Sequence, residues 1–185
     1  MIISISGKPG SGKTTLANNL AKKLKMKEYY MGRIRREMAK ERGITLNELD
    51  KLGEESGFTD IPIEEYIKKL GEEEDNFIIQ SRTAFHFIPD SIKIFLDVNL
   101  KEGTRRIMEE QKKSNKARNE DLYKGLKDAK KKIRERIKSD IKRYKKYYKI
   151  EPYDTKNYDF VLDTTKLTIS KVMDKVLDYI KKRNT

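Results

Sequence analysis

The apolar positions of this chain change their period repeatedly. Residues 2–6, I-I-S-I-S, form a short β-branched run bounded by Gly7, the pattern of a buried strand. From Thr14 the spacing becomes helical, with Leu16, Leu20 and Leu24 four apart. E-Y-Y-M at 28–31 reads as a second strand, and R-I-R-R-E-M-A-K-E-R as a helix closed by Gly43. Thr45 with Glu48 makes a capping box that opens another helix, and Pro62 stands in the first turn of the next. F-I-I-Q at 77–80 and I-K-I-F-L-D-V at 92–98 are further buried strands. Asn99 caps a helix over 100–113, D-F-V-L-D-T is a fifth strand, and Thr168 caps a last helix from Ile169.

Strands that alternate with helices in this way predict an α/β fold, a parallel sheet covered on both faces. One stretch interrupts the alternation. Residues 114–149 are almost entirely polar and rich in lysine and arginine, with helical periodicity in E-R-I-K-S-D-I-K-R-Y-K-K-Y-Y. A charged excursion before the last strand predicts a lid or an appended arm.

Composition narrows the classes. With 185 residues the chain makes one domain, over 1–185. There is no cysteine, so disulfides and thiolate metal sites are excluded. No apolar run reaches membrane-spanning length and no signal-like segment opens the chain, so a cytoplasmic protein without a membrane partner is expected, as a monomer. The net charge of +13 fits a solvated lysine surface, attraction of anionic small molecules, or nucleic acid. The absence of basic runs interleaved with aromatics disfavours nucleic acid.

The chemistry begins at residues 7–15. G-K-P-G-S-G-K-T follows G-x-x-x-x-G-K-[ST], between a strand and a helix as the motif requires. Its glycines let consecutive backbone N–H groups turn inward as an anion nest, and the following helix adds its dipole. Gly7, Lys8, Pro9, Gly10, Ser11, Gly12, Lys13, Thr14 and Thr15 are thus predicted to hold the phosphates of ATP. Lys13 reaches the β- and γ-phosphates, and the Thr14 hydroxyl joins the shell of Mg²⁺. Phosphoryl transfer then needs arginines that converge on the nest. The candidates are Arg33, Arg35, Arg36, Arg82, Arg105, Arg106, Arg118, Arg134, Arg136 and Arg143.

Four stretches carry a resemblance: G-K-P-G-S-G-K-T-T-L-A-N-N-L-A-K-K-L, M-G-R-I-R-R-E-M-A-K-E-R-G-I-T, S-R-T-A-F-H-F-I-P-D-S-I-K-I-F-L-D-V and the stretch from Arg136 to Thr165. Their order is similar to that in cytidylate kinases of the short, archaeal-like type. The last stretch resembles the family pattern R-x-x-S-E-x-x-R-Y-x-x-x-Y-G-I-D through Arg136, Ser139, Asp140, Arg143, Tyr144, Tyr148, Ile150 and Glu151. The resemblance implies the P-loop NTPase three-layer sandwich with a five-stranded parallel sheet, an NMP-binding helical segment at about 32–75 and a helical lid at about 110–148. It implies that CMP or dCMP is phosphorylated. It places Arg36 and Arg82 on the acceptor phosphate, Asp60 near the acceptor base, Arg136 and Arg143 as lid arginines on the transferring group, and Arg106 beside the donor nucleotide.

Several positions depart from the family. Gln80 and Ser81 stand where many members have an acid and a glycine before the arginine. An acid there would help hold Mg²⁺ through water, which leaves Asp97 or Thr14 as alternatives. Glu110 replaces an arginine, with Lys112 and Lys113 as the nearest cations. His86, between Phe85 and Phe87, is expected at a packed core or rim. Tyr144, Tyr147 and Tyr148 are expected to pack on their helix, and Tyr153 and Tyr158 near the last strand. Two other readings stay open: a nucleotide-dependent switch or ATPase that acts with RNA, and a kinase of another small hydroxyl acceptor.

Overall fold

A computed structural model describes residues 1–113 and 123–183. Arg118 lies outside the described residues. The elements are β1 (Ile2–Gly7), α1 (Lys13–Leu24), β2 (Lys27–Tyr30), α2 (Met31–Glu41), α3 (Leu46–Glu55), α4 (Ile61–Glu73), β3 (Phe77–Gln80), α5 (Ala84–Phe87), β4 (Ile92–Asp97), α6 (Leu100–Lys113), α7 (Leu126–Tyr148), β5 (Phe160–Asp163) and α8 (Ile169–Arg183).

The five strands are all parallel, in the order β2-β3-β1-β4-β5. Period-two alternation lets the central strands β3 and β4 send apolar side chains to both faces of the sheet. Ile78 and Ile94 pack toward Leu16, Leu20, Val172 and Val176 of α1 and α8. Phe77 and Ile79 pack toward Met31, Ile63, Ile67 and Ala84, while Phe95 meets Phe85 and Tyr158. The result is three layers, helix on sheet on helix. Among the described residues, no helix is long and apolar enough to cross a membrane.

The caps read from the sequence are in place. Thr45 and Glu48 exchange both capping-box bonds, Asn99 Oδ1 accepts from Glu102 N at 2.8 Å, and Thr168 Oγ1 accepts from Lys171 N. The one-turn helix α5 was not legible, since four residues carry no period. Helix α7 starts nine residues before the periodic stretch from Glu135, because Lys127 to Glu135 shows only two buried residues, Ala129 and Ile133.

A parallel sheet opens its crevice at the carboxyl ends of its strands. Here β2 and β3 end together, since Tyr30 stands in register with Gln80, and β1 runs two residues past Ile5, the partner of Gln80, to Gly7. Lys13, Thr14, Arg36, Arg82 and Arg136 border the crevice there.

Candidate active site

The turn after β1 is a cradle shaped by close approach. Gly10 has φ +76°, and a Cβ on it would stand 2.3 Å from the Gly103 carbonyl oxygen of α6. The approach is mutual, for a Cβ on Gly103 would stand 2.7 Å from the Pro9 oxygen. Gly12 is the left-handed N-cap of α1, and no side chain caps that helix. The N–H groups of its first turn therefore face a space suited to an anion. The cradle fits the phosphates of a nucleoside triphosphate.

A cavity extends from this cradle. Its walls include Lys13 and Thr14, Tyr30 and Arg36 of β2 and α2, Arg82 after β3, and Arg136 and Tyr144 of α7. Lys13 Nζ donates to Lys8 O at 2.7 Å, folded back over its own loop. Burial, with Arg82 and Arg136 close by, pushes its ammonium well below the usual lysine range, and Asp140 opposes this. Three cations from three parts of the chain thus crowd one cavity. The Arg36 guanidinium lies 4.8 Å over the Tyr30 ring.

Behind the wall lies a buried ionic network. Arg35 binds Asp50 at 2.7 Å and Asp60 at 2.6 Å. Arg143 binds Asp60, Asp140 at 2.6 Å and Asp50 at 3.3 Å. Arg82 Nε meets Asp140 Oδ2 at 2.5 Å, and Tyr153 OH donates to the same oxygen at 2.6 Å. Burial works against ionising Asp140, but Arg82, Arg143 and Arg136 hold its carboxyl well below the usual range.

The network corrects three expectations. Arg143, read as a lid arginine, is fully buried and spends its guanidinium on three aspartates. Asp60, read as the acid near the acceptor base, is fully buried between Arg35, Arg143 and the Thr59 hydroxyl. Arg35, one of the arginines considered for convergence on the nest, borders the cavity but is 7% exposed and gives its guanidinium to Asp50 and Asp60. The network also ties the carboxyl half of α7 to α2 and α3, so of α7 it is the stretch from Leu126 to Arg136 that lies outside the anchor.

The acid of this segment that borders the cavity is Glu64, one helical turn after Asp60. That i+4 spacing was the signal available in the sequence. Glu64 is 3% exposed and accepts from the Thr83 hydroxyl. Burial pushes its carboxyl up to about 8; Thr83 opposes the rise, Asp60 adds to it, and Arg35 and Arg143 oppose it. In the unfolded chain the group ionises at its ordinary pKa, so its stabilisation is present below about 4.5 and is lost as pH rises toward about 8. Relative to Glu64→Gln, the wild type should weaken over that window by at most about 1.4 kcal/mol per pH unit, then level off. Urea midpoints of both proteins from pH 4.5 to 9 test this; a constant gap would mean that Glu64 is ionised when folded.

The remaining predicted residues divide. Pro9, Gly10, Gly12 and Thr15 line the cavity with Lys13 and Thr14. Gly7 lies under the cradle against Leu96, and Ser11 is buried there. Lys8 turns away to Asp97 at 2.7 Å, so that aspartate already has a cation. Arg106 stays at the cradle's edge, bonded to Glu102, Gly10 O and the Thr164–Thr165 turn. It braces the loop from behind. Arg33 and Arg105 are exposed with acidic partners on their own helices, and Arg134 is exposed. Glu110 lines the cavity, whereas Lys112 and Lys113 lie on the surface.

His86 is exposed at the rim, edge-on to Phe85 and Phe87. Tyr147 donates to Gly53 O, Tyr148 packs on Phe87, and Tyr158 packs on Phe85 and Phe95. Tyr144 does more than pack its helix, since it lines the cavity.

For Mg²⁺, no cluster of three or more acidic, His or Cys residues among the described residues is arranged to hold a metal ion; the three aspartates around Arg143 are spent on guanidinium groups. Thr14 Oγ1 donates its proton to Gln80 Oε1 at 3.1 Å, which leaves the hydroxyl lone pairs for a cation. The fit is to a metal held mainly by phosphates and water.

A phosphate cradle on a parallel sheet, faced across a cavity by arginines from distant elements, defines a P-loop kinase. The model of the family described as "Cytidylate kinase-like family" matches residues 2–166. The chain belongs to this family and is a nucleoside monophosphate kinase. A cytidylate kinase of Methanopyrus kandleri is 36% identical over 177 residues, covering 90% of this chain and 86% of that protein. One of Methanocella arvoryzae is 33% identical over 185 residues, covering 98% and 99%. Among solved structures, one from Eubacterium ventriosum aligns with a TM-score of 0.70 at 22% identity, covering 98% of each chain. A shikimate kinase from Bacteroides thetaiotaomicron aligns at 0.63 and 15%, also covering 98% of each. At those identities the likeness concerns the fold.

Proposed function

We propose that this enzyme transfers the γ-phosphoryl group of ATP to CMP or dCMP. The observation that carries the reading is the meeting of Lys13, Arg82 and Arg136 on one cavity, where their charges oppose one another until an anion arrives. Polyphosphate in the cradle and a monophosphate opposite it would relieve that repulsion.

Lys13 leaves the Lys8 carbonyl for the β- and γ-phosphates. Arg36 and Arg82 hold the acceptor phosphate, one terminal oxygen of which attacks the γ-phosphorus while the bond to the β-phosphate bridging oxygen breaks. No general base is needed, because that oxygen is already anionic. Arg136 neutralises charge on the group in flight. Mg²⁺, held by Thr14, water and the phosphates, would supply further neutralisation. Asp140 and Tyr153 grip Arg82 at Nε, which leaves its two terminal nitrogens for the acceptor. The neutral Glu64 carboxyl presents a donor and an acceptor side by side, the complement of the N3 and N4 edge of cytosine. Approach of the amino-terminal part of α7 would exclude water and spare ATP from hydrolysis. A cytoplasmic monomer is part of the same reading.

A coupled assay of ADP release with ATP and a panel of nucleoside monophosphates tests it. CMP or dCMP should stimulate turnover most; stimulation by RNA and by no monophosphate would overturn the kinase reading. Arg82→Ala should raise the acceptor KM and lower kcat together, with a combined loss of about 10²–10³. A change confined to the KM for ATP would remove Arg82 from the acceptor site.

A further inference from the structure

Gln80 ends β3 beside the metal-binding threonine, yet it is neutral. A carboxylate nonetheless stands one strand away. Ile78 faces α1, so period two turns Gln80 to the same side, and the register Glu28↔Ile78 puts Glu28 of β2 there too. On α1, Thr14 and Asn18 lie one turn apart on the facing surface. A continuous chain of bonds results. Thr14 Oγ1 donates to Gln80 Oε1 at 3.1 Å, and Gln80 Nε2 donates to Glu28 Oε1 at 2.5 Å. The Asn18 amide, turned with its nitrogen toward the carboxylate, donates to Glu28 Oε1 at 3.0 Å. Glu28 forms no ion pair with any described residue, although cations crowd the adjoining cavity.

We propose that Glu28 is the positioning residue for the metal–nucleotide complex. Its carboxylate captures Gln80 Nε2 and so fixes the amide with Oε1 toward Thr14 and the cradle, while supplying the negative charge that the neutral amide lacks. An amide can sit either way round. Without a strong acceptor at Nε2 it is free to turn its NH₂ toward Thr14, which would place another donor where a cation and its water belong. Fixed as it is, Oε1 orients the Thr14 proton away from the metal and can accept from metal-bound water. The inference rests on the reading of residues 7–15 as a site for Mg²⁺ and nucleoside triphosphate.

The test is equilibrium binding of a fluorescent ATP analogue with and without Mg²⁺, together with the Mn²⁺ resonance signal of the nucleotide complex. In Glu28→Gln, metal-free affinity should stay at the wild-type level while the strengthening by Mg²⁺ falls about tenfold. Gln80→Leu should show the same loss. The double variant Glu28→Gln, Gln80→Glu moves the charge to the end of β3 and should recover the Mg²⁺ response, which a merely structural defect would not. Thermal midpoints verify that each variant is folded. Full Mg²⁺ enhancement in Glu28→Gln overturns the proposal, and so does a folded double variant that stays unresponsive. Since only nucleotide and metal enter the measurement, an error in the acceptor assignment leaves its result intact.

Discussion

Lys13→Ala should lower phosphoryl transfer by at least about 10²-fold while leaving the thermal midpoint level with the wild type or above it. The two halves of this expectation share a cause. In the absence of nucleotide, the Lys13 ammonium is held against burial and the charges of Arg82 and Arg136, and its own bond is a single one to the Lys8 carbonyl. Its removal therefore relieves repulsion and leaves only one backbone oxygen short of a donor. In the proposed reaction the same ammonium moves to the β- and γ-phosphates, and no other cation of α1 lines the cavity to replace it. The coupled assay and a melting curve read the two halves separately. Activity within a factor of two of wild type would remove residues 7–15 from the reaction; a collapse of the melting temperature would make Lys13 a structural residue.

Arg143→Ala should do the reverse, lowering stability by about 3–5 kcal/mol, which for a chain of this size is on the order of 10 °C in midpoint. Asp50, Asp60 and Asp140 all lean on this guanidinium. Without it, three buried carboxylates share Arg35 and Arg82, and one carboxylate is left without a counter-charge in a site closed to water. Arg143→Lys should recover only part of the loss, since a point charge cannot serve three carboxylates as a planar fork does. By contrast, Arg136→Ala should spare the midpoint and lower kcat. If Arg143→Ala melted like the wild type and lost only turnover, the lid assignment implied by the resemblance would be reinstated and the buried network would lose its structural meaning.

This pair of arginines marks how far the sequence could be read. The five strands, the cradle and the caps at Thr45, Asn99 and Thr168 were legible because each depends on local spacing or on a few adjacent residue types. The meeting of Arg82 and Arg136 was legible through the order of the motifs. What stayed hidden was the direction of each side chain. Arg35 and Arg36 are neighbours in sequence, yet the helical turn of about 100° per residue sends one into the network and the other over Tyr30. Asp60 and Glu64 share a face, yet Asp60 precedes the helix and is spent on ion pairs, while Glu64 reaches the cavity. Glu28 had no signal at all, because its partner Gln80 lies 52 residues away and only the strand register brings them together.

The mutual approach of Gly10 and Gly103 carries a warning for anyone who maps tolerance to substitution across this enzyme. Position 103 lies in the first turn of an outer helix and does not line the cavity, yet any side chain there must displace the Pro9 carbonyl and with it the phosphate loop. A scan of α6 would score it as though it were an active-site residue. No second change at position 10 could restore the space, because that position has already given up its side chain.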